Sequence, residues 1–389
     1  MHSAPPYEKT LNTYAMRKLL FPTIICLMMT GCQQQKENPF FGAYNTPFDV
    51  PPFEKIEAEH YMPAFKEGIK QHDAEIQAII DNPEAPTFAN TIAALDLSGD
   101  LLNRIELVFF NVVEAASNDT LRQIAEEVSP LLSAHSDNML LNDALFARIK
   151  EVYDNRENEN LDKAQMRLLE KYYKDFVRAG ALLSTEQKEQ LRAINSELST
   201  LGIQYSNNVL AENNAFELVI ENEADLAGLP DGVIAAAAEE ATAADKEGKW
   251  LFTLSAPSRI PFLQYADNRD LREKLYTAYI MRGDNDNEND NKEIVKRMLE
   301  LRLQKANLLG FKTFADFALD DRMAKTDSAV NALMLSVWKY AVPRAKEEIT
   351  DMQRIIDQKG GGFKLAPSRI PHPNSETNLG SRSHLPEQR

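Results

Sequence analysis

At 389 residues the chain can bury a substantial hydrophobic core, and its length suggests two or three domains. Its hydrophobic content of 43% and charged content of 26% are those of an ordinary globular protein, not of a disordered or fibrous one. The formal net charge of −16 argues against a nucleic-acid-binding protein, because phosphate binding requires clustered Lys and Arg. Glycine is scarce and good helix formers are abundant, which favours a mainly α fold.

The N-terminal segment has the pattern of an export signal. Met16-Arg17-Lys18 is followed by a short apolar run that ends at Gly31-Cys32 and is too short to span a bilayer. We therefore predict that residues 1–31 are an upstream extension and a lipoprotein signal peptide, and that Cys32 is acylated. The alternative is a simple signal peptide with a cysteine there by chance. The other cysteine, Cys26, also lies in this segment, so a disulfide framework in the body of the chain is excluded.

Residues 32–52 are first polar and then rich in proline and aromatic residues, which predicts a tether followed by an extended arm. Residues 53–358 form a helical region, and residues 359–389 form an anomalous tail with few apolar residues. The first helix stops at Asn82-Pro83. A second helix covers residues 85–118, with Thr87 or Asn90 as its N-cap.

Further helical runs follow along the chain. Residues 119–155 contain two runs, with an interruption expected around Ser136–Asn138. The next run ends at Gly180, and Ser184 with Gln187 has the signature of a capping box for a helix through about Asn208. Two β-prone runs near 215–255 flank an alanine-rich helix and predict a small β element.

Three more helices are predicted in the C-terminal third, at Asp267–Met281, Lys292–Phe311 and from Thr326 or Asp327 towards Gln358. Pro343 strains the last helix, and Gly360–Gly362 ends it.

The acidic run Gly283–Glu293 does not have the pattern of an EF-hand calcium-binding loop. An EF-hand loop requires glycine at its sixth position and glutamate at its twelfth, whereas counting from Asp284 places Asn289 and Val295 there. We therefore expect a solvated loop that caps the next helix.

No catalytic constellation is visible in the sequence. A catalytic zinc site commonly takes two histidines about four residues apart on one helix, and neither that spacing nor a His-Glu-x-x-His motif occurs here. A Gly-x-Ser-x-Gly nucleophile elbow is also absent. His60, beside Glu59 at a helix start, is expected to be a capping or packing residue and not a ligand.

Several long segments nevertheless resemble a known family. They include "PPFEKIEAEHYMPAFKEGIKQ", "LLSTEQKEQLRAINSELSTLGIQYSNNVL" and "WLFTLSAPSRIPFLQYADNRDLREKLYTAYIMRG". In order and in register from about Asn38 to Pro367, these segments resemble the N-terminal region of the thimet oligopeptidase family of zinc peptidases. The resemblance is strongest to the peptidyl-dipeptidase branch, also called dipeptidyl carboxypeptidase.

This resemblance implies the N-terminal portion of a two-lobed, almost wholly helical metallopeptidase that acts on peptides. In the family the zinc motif lies in the C-terminal half, so no position of this chain matches a catalytic or metal-binding residue. We therefore expect a fragment that binds no zinc and is inactive alone, although the full-length enzyme would use zinc. The alternative is a non-catalytic helical lipoprotein that binds peptides or a partner. In either case we expect a monomer in the bacterial cell envelope, attached to the membrane only through its lipid.

The last two long helices carry apolar faces that the family covers with its C-terminal half. The face residues are Val330, Leu333, Leu335, Trp338, Ile294, Met298 and Leu301. We expect these faces to be uncovered here, the stretch beyond about Asp320 to be frayed, and the tail after Pro367 to be disordered.

The first testable prediction concerns Cys32. Cys32→Ala should abolish acylation and leave a soluble or unprocessed product, because the lipid is attached to that thiol. Mass spectrometry of the N-terminal peptide and membrane fractionation measure this. Cys26→Ala is the matched control and should be processed normally. An unmodified mature N-terminus at another residue would contradict the prediction.

Overall fold

The computed structural model describes residues 38–358 and 360–366, and confirms a mainly α fold. Cys32 and most of the tail lie outside the described residues. The helices of the described part are α1 (Ala58–Ile80), α2 (Asp100–Ala116), α3 (Asp119–Leu140), α4 (Asp143–Asp154), α5 (Lys163–Ala179), α6 (Thr185–Ala215), α7 (Asp231–Ala243), α8 (Ala256–Tyr265), α9 (Arg269–Ile280), α10 (Lys292–Leu308), α11 (Phe314–Asp320) and α12 (Asp327–Gln358). Among these helices, none combines the length and hydropathy needed to cross a membrane.

The predicted β element is confirmed as a small antiparallel sheet. Strand β1 (Leu218–Ile220) pairs with β2 (Trp250–Phe252), and Val219 lies opposite Leu251. Apolar residues of the sheet pack against α7, α8 and α9. Phe252 and Phe262 are both buried, and their ring centroids lie 4.6 Å apart.

The described chain divides into two compact units. The first contains residues 38–72 and 99–116, that is, the arm, the first part of α1 and all of α2. Its core is aromatic: Tyr61 and Phe65 of α1 pack their rings against Phe109 of α2, with centroids 4.9 and 5.3 Å apart. Phe40 of the arm is fully buried and lies 5.6 Å from Tyr61.

The arm is less extended than the sequence predicts. It contains two short 3₁₀ helices, Pro39–Phe41 and Pro47–Asp49. Proline at the first helical position pre-sets the backbone for a helical turn, and the Asn38 side chain accepts a hydrogen bond from the Phe40 N–H. Burial of Phe40 therefore holds the described part of the arm in the first unit.

The predicted single helix over residues 85–118 is wrong. A π-helix, Phe88–Ala93, continues into one α turn, Ala94–Asp96, and α2 begins separately at Asp100. The break lies at Gly99, which has φ +76°, and a Cβ there would come within 2.9 Å of the His72 ring. The predicted cap at Thr87 is confirmed, because its hydroxyl and the Asn90 side chain form a capping box.

The second unit contains residues 73–98 and the described residues from 117 onwards. One of its cores lies between α4, α5 and the π-helix. Its fully buried members include Ile149 and Leu169, and the Tyr153 and Tyr173 rings stack 3.9 Å apart at its edge. Helix α5 ends as predicted at Gly180, which adopts a left-handed conformation with φ +107°.

The interruption predicted around Ser136–Asn138 is wrong, because α3 runs unbroken to Leu140. These polar residues resemble a loop in sequence, yet Asp137 among them and the adjacent His135 are buried and paired. Nδ1 of His135 lies 2.9 Å from Asp73 Oδ1, and Asp137 accepts a hydrogen bond from Asn195. Distant partners therefore stabilise a helix that the local pattern does not indicate.

Helix α6 begins with the predicted capping box of Ser184 and Gln187, but continues to Ala215 instead of ending near Asn208. Helix α10 packs against α6 and buries Leu301, while Ile294 and Met298 are half-buried. That face of α10 was expected to be uncovered, so this expectation is wrong. Along α12 the described side chains remain largely exposed from Asp327 to Ile349, as expected.

A second prediction concerns the core around α5. Leu169→Ala should lower the free energy of unfolding by about 2–5 kcal/mol, because it leaves a cavity at a site with no solvent exposure. Leu182→Ala is the matched control: its side chain is 63% exposed, and its loss should change stability by less than about 0.5 kcal/mol. Urea denaturation followed by circular dichroism measures both. Equal effects of the two substitutions would contradict this packing.

Candidate functional site

Glu57, Glu59 and His60 are the candidate metal group within the described residues. Their possible ligand atoms lie within 4.8 Å of one another. However, Nδ1 of the buried His60 already accepts a hydrogen bond from the Glu57 N–H at 2.9 Å. Its Nε2 is buried without a hydrogen-bond partner among the described residues. Because no imidazole lone pair is free to face the two carboxylates, this group does not fit zinc.

His60 has the packing role expected from the sequence. Besides the bond to Glu57, its carbonyl oxygen accepts a hydrogen bond of 2.8 Å from the Asn38 side chain. His135 is buried against Asp73, so it too is part of the folded structure. His372 and His384 lie outside the described residues. Hydrogen bonds and an ion pair therefore hold His60 and His135 within the folded structure.

The acidic loop before α10 already contains a cation, the ammonium group of Lys292. Its Nζ lies 2.7 Å from Asp284, 2.9 Å from Asp286 and 2.6 Å from Asp290, in each case from a carboxylate oxygen. The hydrogen bonds to these three carboxylates raise the pKa of Lys292 above its usual range. The loop leads into α10 as expected, and its carboxylates neutralise a lysine of the same segment.

The base of this loop is fixed to α6. The carboxylate of the buried Glu212 accepts hydrogen bonds from the amides of Asn285 and Asn287. The buried Asn291 accepts a hydrogen bond of 3.0 Å from Asn208. These partners are more than 70 residues apart in sequence, so no local pattern could have predicted them.

A groove of about 500 Å³ lies between α6 and α10 and is one candidate binding site among the described residues of the second unit. Its wall includes a two-bond ion pair: Arg297 Nε and Nη2 lie 2.6 and 2.8 Å from the two carboxylate oxygens of Glu197. The hydrogen bonds from Arg297 lower the pKa of the Glu197 carboxyl. Ile194 and Leu301 supply apolar surface. The lining residues are Gln190, Ala193, Ile194, Glu197, Arg297, Leu301, Gln304, Asn307 and Leu308.

The groove presents hydrogen-bonding groups and apolar surface. Side-chain amides such as those of Gln190 and Gln304 can donate and accept hydrogen bonds with a peptide backbone. The lining contains no Ser, Thr, Cys, Lys or His that could serve as a nucleophile. Catalytic spacings in the sequence do not reveal this groove, because its lining comes from two helices about 100 positions apart in the chain.

Three polar residues connect helices α3, α6 and α10 beneath the surface. Lys305 Nζ donates to Asn195 Oδ1 at 2.6 Å, and Asn195 Nδ2 donates to Asp137 Oδ1 at 2.7 Å. Burial raises the pKa of the Asp137 carboxyl and lowers the pKa of the Lys305 ammonium. Burial therefore makes the charge of each group costly to stability. The hydrogen bond from Asn195 to Asp137 and the attraction between the Asp137 and Lys305 charges offset part of that cost.

Comparison with known proteins shows what this chain is similar to. Residues 262–368 match Peptidase family M3. The chain is 39% identical over 330 residues to dipeptidyl carboxypeptidase of Escherichia coli, a match that covers 85% of this chain and 48% of that protein. The Salmonella typhimurium protein of the same name is 37% identical over 84% of this chain and 48% of its own length.

Oligopeptidase A of Escherichia coli is a further relative, 31% identical over 83% of this chain and 48% of its own length. The chain thus spans about half the length of the curated relatives it matches. These matches confirm the resemblance to the thimet oligopeptidase family and its peptidyl-dipeptidase branch.

A third prediction follows from the buried carboxyl of Asp137. Its folded-state pKa is raised, so the folded protein binds more protons than the unfolded chain, and this group's stabilising contribution is lost as pH rises through that pKa. Asp137→Asn keeps an acceptor for Asn195 without the charge. It should therefore raise the melting temperature at pH 7, and the gain should vanish as pH falls below the ordinary Asp value of about 3.9.

Thermal denaturation at a series of pH values measures this difference. Asp81→Asn is the control, because Asp81 is exposed at the end of α1 and its substitution changes the net charge by the same amount. A melting-temperature gain for Asp137→Asn that is constant between pH 3 and 7 would contradict the assignment.

Proposed function

We propose that this chain is the N-terminal part of a zinc-dependent peptidyl-dipeptidase, which releases dipeptides from the C-termini of peptides. The single observation that carries this proposal is the match to dipeptidyl carboxypeptidase over most of this chain. The match to Peptidase family M3 supports the same class of enzyme.

In this proposal the chain contributes to binding and not to bond cleavage. The candidate metal group at His60 does not fit zinc, so no step of the reaction is assigned to residues of this chain. The groove between α6 and α10 instead offers amides, an apolar floor and the Glu197–Arg297 pair to a peptide. Zinc and its ligands would belong to the part of the enzyme that this chain does not match.

We further propose that the protein is exported and attached to the cell envelope through acylated Cys32. The basic start at Arg17-Lys18, the short apolar run and Gly31-Cys32 support this location. Peptides that reach the envelope would then be its substrates. The proposed enzyme is a monomer, and its high negative charge opposes self-association.

A second candidate function is a helical lipoprotein that binds peptides without cutting them. The groove supports this alternative, because its side-chain amides and the Glu197–Arg297 pair form a surface that can bind a peptide. The two functions differ in one respect that can be measured: only the first requires that this chain can complete a catalytically active enzyme.

The fourth prediction tests that difference with a chimera. Residues 38–366 of this chain would replace the matched residues of Escherichia coli dipeptidyl carboxypeptidase. The chimera should release C-terminal dipeptides, and a zinc chelator should abolish the release, because the replaced region and this chain would have the same role. The purified chain alone should contain no stoichiometric zinc by elemental analysis and should release no dipeptide.

The parental Escherichia coli enzyme is the positive control for the assay. A folded chimera that binds peptides but does not cleave them would favour the non-catalytic lipoprotein. One tightly held zinc in the isolated chain, together with dipeptide release, would show that the fragment is itself the enzyme and would contradict the proposed division of roles.

A further inference from the structure

Part of the arm is packed into the first unit. Phe40 is fully buried, and the Asn38 side chain donates a hydrogen bond of 2.8 Å to the His60 carbonyl. Further along the arm, the Arg104 guanidinium of α2 lies 5.5 Å from the centroid of the Tyr44 ring. These contacts fix the first half of the described arm to α1 and α2.

The arm and the residue after it also expose four large apolar side chains, which we call the arm surface. Their exposed fractions are Phe41 49%, Phe48 100%, Val50 49% and Phe53 51%. Asp49 is the only charged residue between positions 38 and 53. Single exposed apolar residues are common on proteins, whereas several of them in a short segment with almost no charge mark an interaction surface.

A closed turn presents Phe48 to solvent. The Asp49 N–H donates to the Thr46 carbonyl at 3.1 Å, and the Thr46 hydroxyl donates to the Val50 carbonyl at 2.5 Å. Within this turn Phe48 has φ +60° and Asp49 has φ +53°, a conformation that is most unfavourable for a bulky side chain. Because Phe48 is fully exposed, packing within the first unit does not offset this strain. Strain of this kind is typical of residues that act on a partner.

The arm surface lies close in sequence to the proposed site of lipid attachment. Five residues, 33–37, separate Cys32 from Asn38. A chain of this length spans at most about 22 Å, because each residue adds no more than about 3.6 Å. Acyl chains on Cys32 would therefore keep the start of the arm within about 22 Å of the bilayer surface. Among the possible occupants of the arm surface, the bilayer is the one that this short distance brings to it.

Charge and aromatic content indicate how the arm surface would bind a bilayer. The net charge of −16 opposes attraction to anionic lipids and contact with a second copy of the chain, so binding must come from apolar contacts. Phenylalanine gains free energy at the boundary between headgroups and acyl chains. Asp49 is exposed beside Phe48, and its carboxylate can stay hydrated only at that boundary. The expected contact is therefore shallow.

We propose that Phe41, Phe48, Val50 and Phe53 insert into the bilayer interface beside the acyl chains on Cys32. This inference rests on the proposed attachment through Cys32 and adds a second contact, made by folded residues of the first unit. The lipid alone limits the distance between that unit and the membrane. Insertion of the arm surface also determines which side of the first unit faces the membrane.

The fifth prediction places a probe at the tip of the turn in the acylated protein. Processing would remove Cys26 and acylate Cys32, so Phe48→Cys gives the mature chain a single free thiol. A nitroxide attached to this thiol would be measured by electron paramagnetic resonance after reconstitution into vesicles of phosphatidylethanolamine and phosphatidylglycerol. Its collisions with an aqueous nickel complex should be about fivefold or more below those of a control position, because the interface excludes the complex.

Lys70→Cys is the matched control for the nitroxide. Lys70 is exposed on α1, nine residues beyond Tyr61, and is therefore about 13 Å along the helix axis from the contact with the arm. A nitroxide at position 70 should remain accessible to the nickel complex in the same vesicles. Both labelled proteins should have the same circular dichroism spectrum, because both side chains are exposed.

Vesicle binding without the lipid tests the arm surface by itself. Residues 32–389 carrying Cys32→Ala should bind phosphatidylcholine vesicles, and Phe48→Ser should weaken this binding about tenfold, because it removes a phenylalanine from the interface. Met323→Ser is the matched control: Met323 is 98% exposed in the second unit. Its loss should change binding by less than about twofold, because it removes an isolated apolar side chain.

Each outcome supports or overturns the proposal. If mass spectrometry shows Cys32 acylated, the nitroxide decides: equal accessibility at positions 48 and 70 would overturn the arm surface and leave the lipid anchor. If Cys32 carries no acyl chain, the proposed attachment fails and vesicle binding decides. Binding that Phe48→Ser weakens and Met323→Ser does not would uphold the arm surface, whereas absent or unchanged binding would overturn it. A position 48 already shielded in the lipid-free chain without vesicles would also overturn it, because protein would then cover Phe48.

Discussion

The second unit depends on one long helix, α6, whose polar side chains fix the elements around it. Near its start, the buried Lys188 donates to the Leu141 carbonyl at 3.1 Å and so holds the α3–α4 junction. Two turns later, Asn195 joins Asp137 of α3 to Lys305 of α10. Near its end, Glu212 binds the acidic loop that leads into α10. Because unsatisfied buried polar groups are costly, each of these bonds fixes one register of packing. The groove between α6 and α10 is a consequence of that register.

Local signals in the sequence were sufficient for several helix boundaries. The capping boxes at Thr87 and Ser184, and the left-handed Gly180, depend on residues within one turn of each other, so they could be predicted from spacing alone. The errors have a different physical origin. The break predicted near Ser136–Asn138 does not occur, because buried partners far away in the chain stabilise that turn of α3. The break at Gly99 was missed because a glycine inside a helical pattern does not reveal that the chain must adopt a positive φ there.

Of the candidate site, only the packing role of His60 could be predicted, from its position beside Glu59 at a helix start. Neighbours within three positions determine that role. The groove could not be found in this way, because Glu197 and Arg297 meet through the packing of two helices. The same limitation explains the error about α10. The resemblance implied that the family's C-terminal half covers the Leu301 face, whereas in this structure α6 lies against α10 and Leu301 is buried.

Helices α10 and α12 differ in how much of their apolar surface is covered by neighbouring helices. Helix α10 packs one face against α6 and exposes another face to solvent. The middle of α12 is exposed over more than half of its circumference. An isolated helix with such a surface would tend to associate with any apolar partner. Two features oppose such association. The start of α12 is anchored to α5 by the Lys174–Asp321 ion pair, and the segment after it is anchored to α9 by Arg269 and Phe363. The chain also carries a net charge of −16. Long-range repulsion between identical chains of this net charge disfavours such self-association.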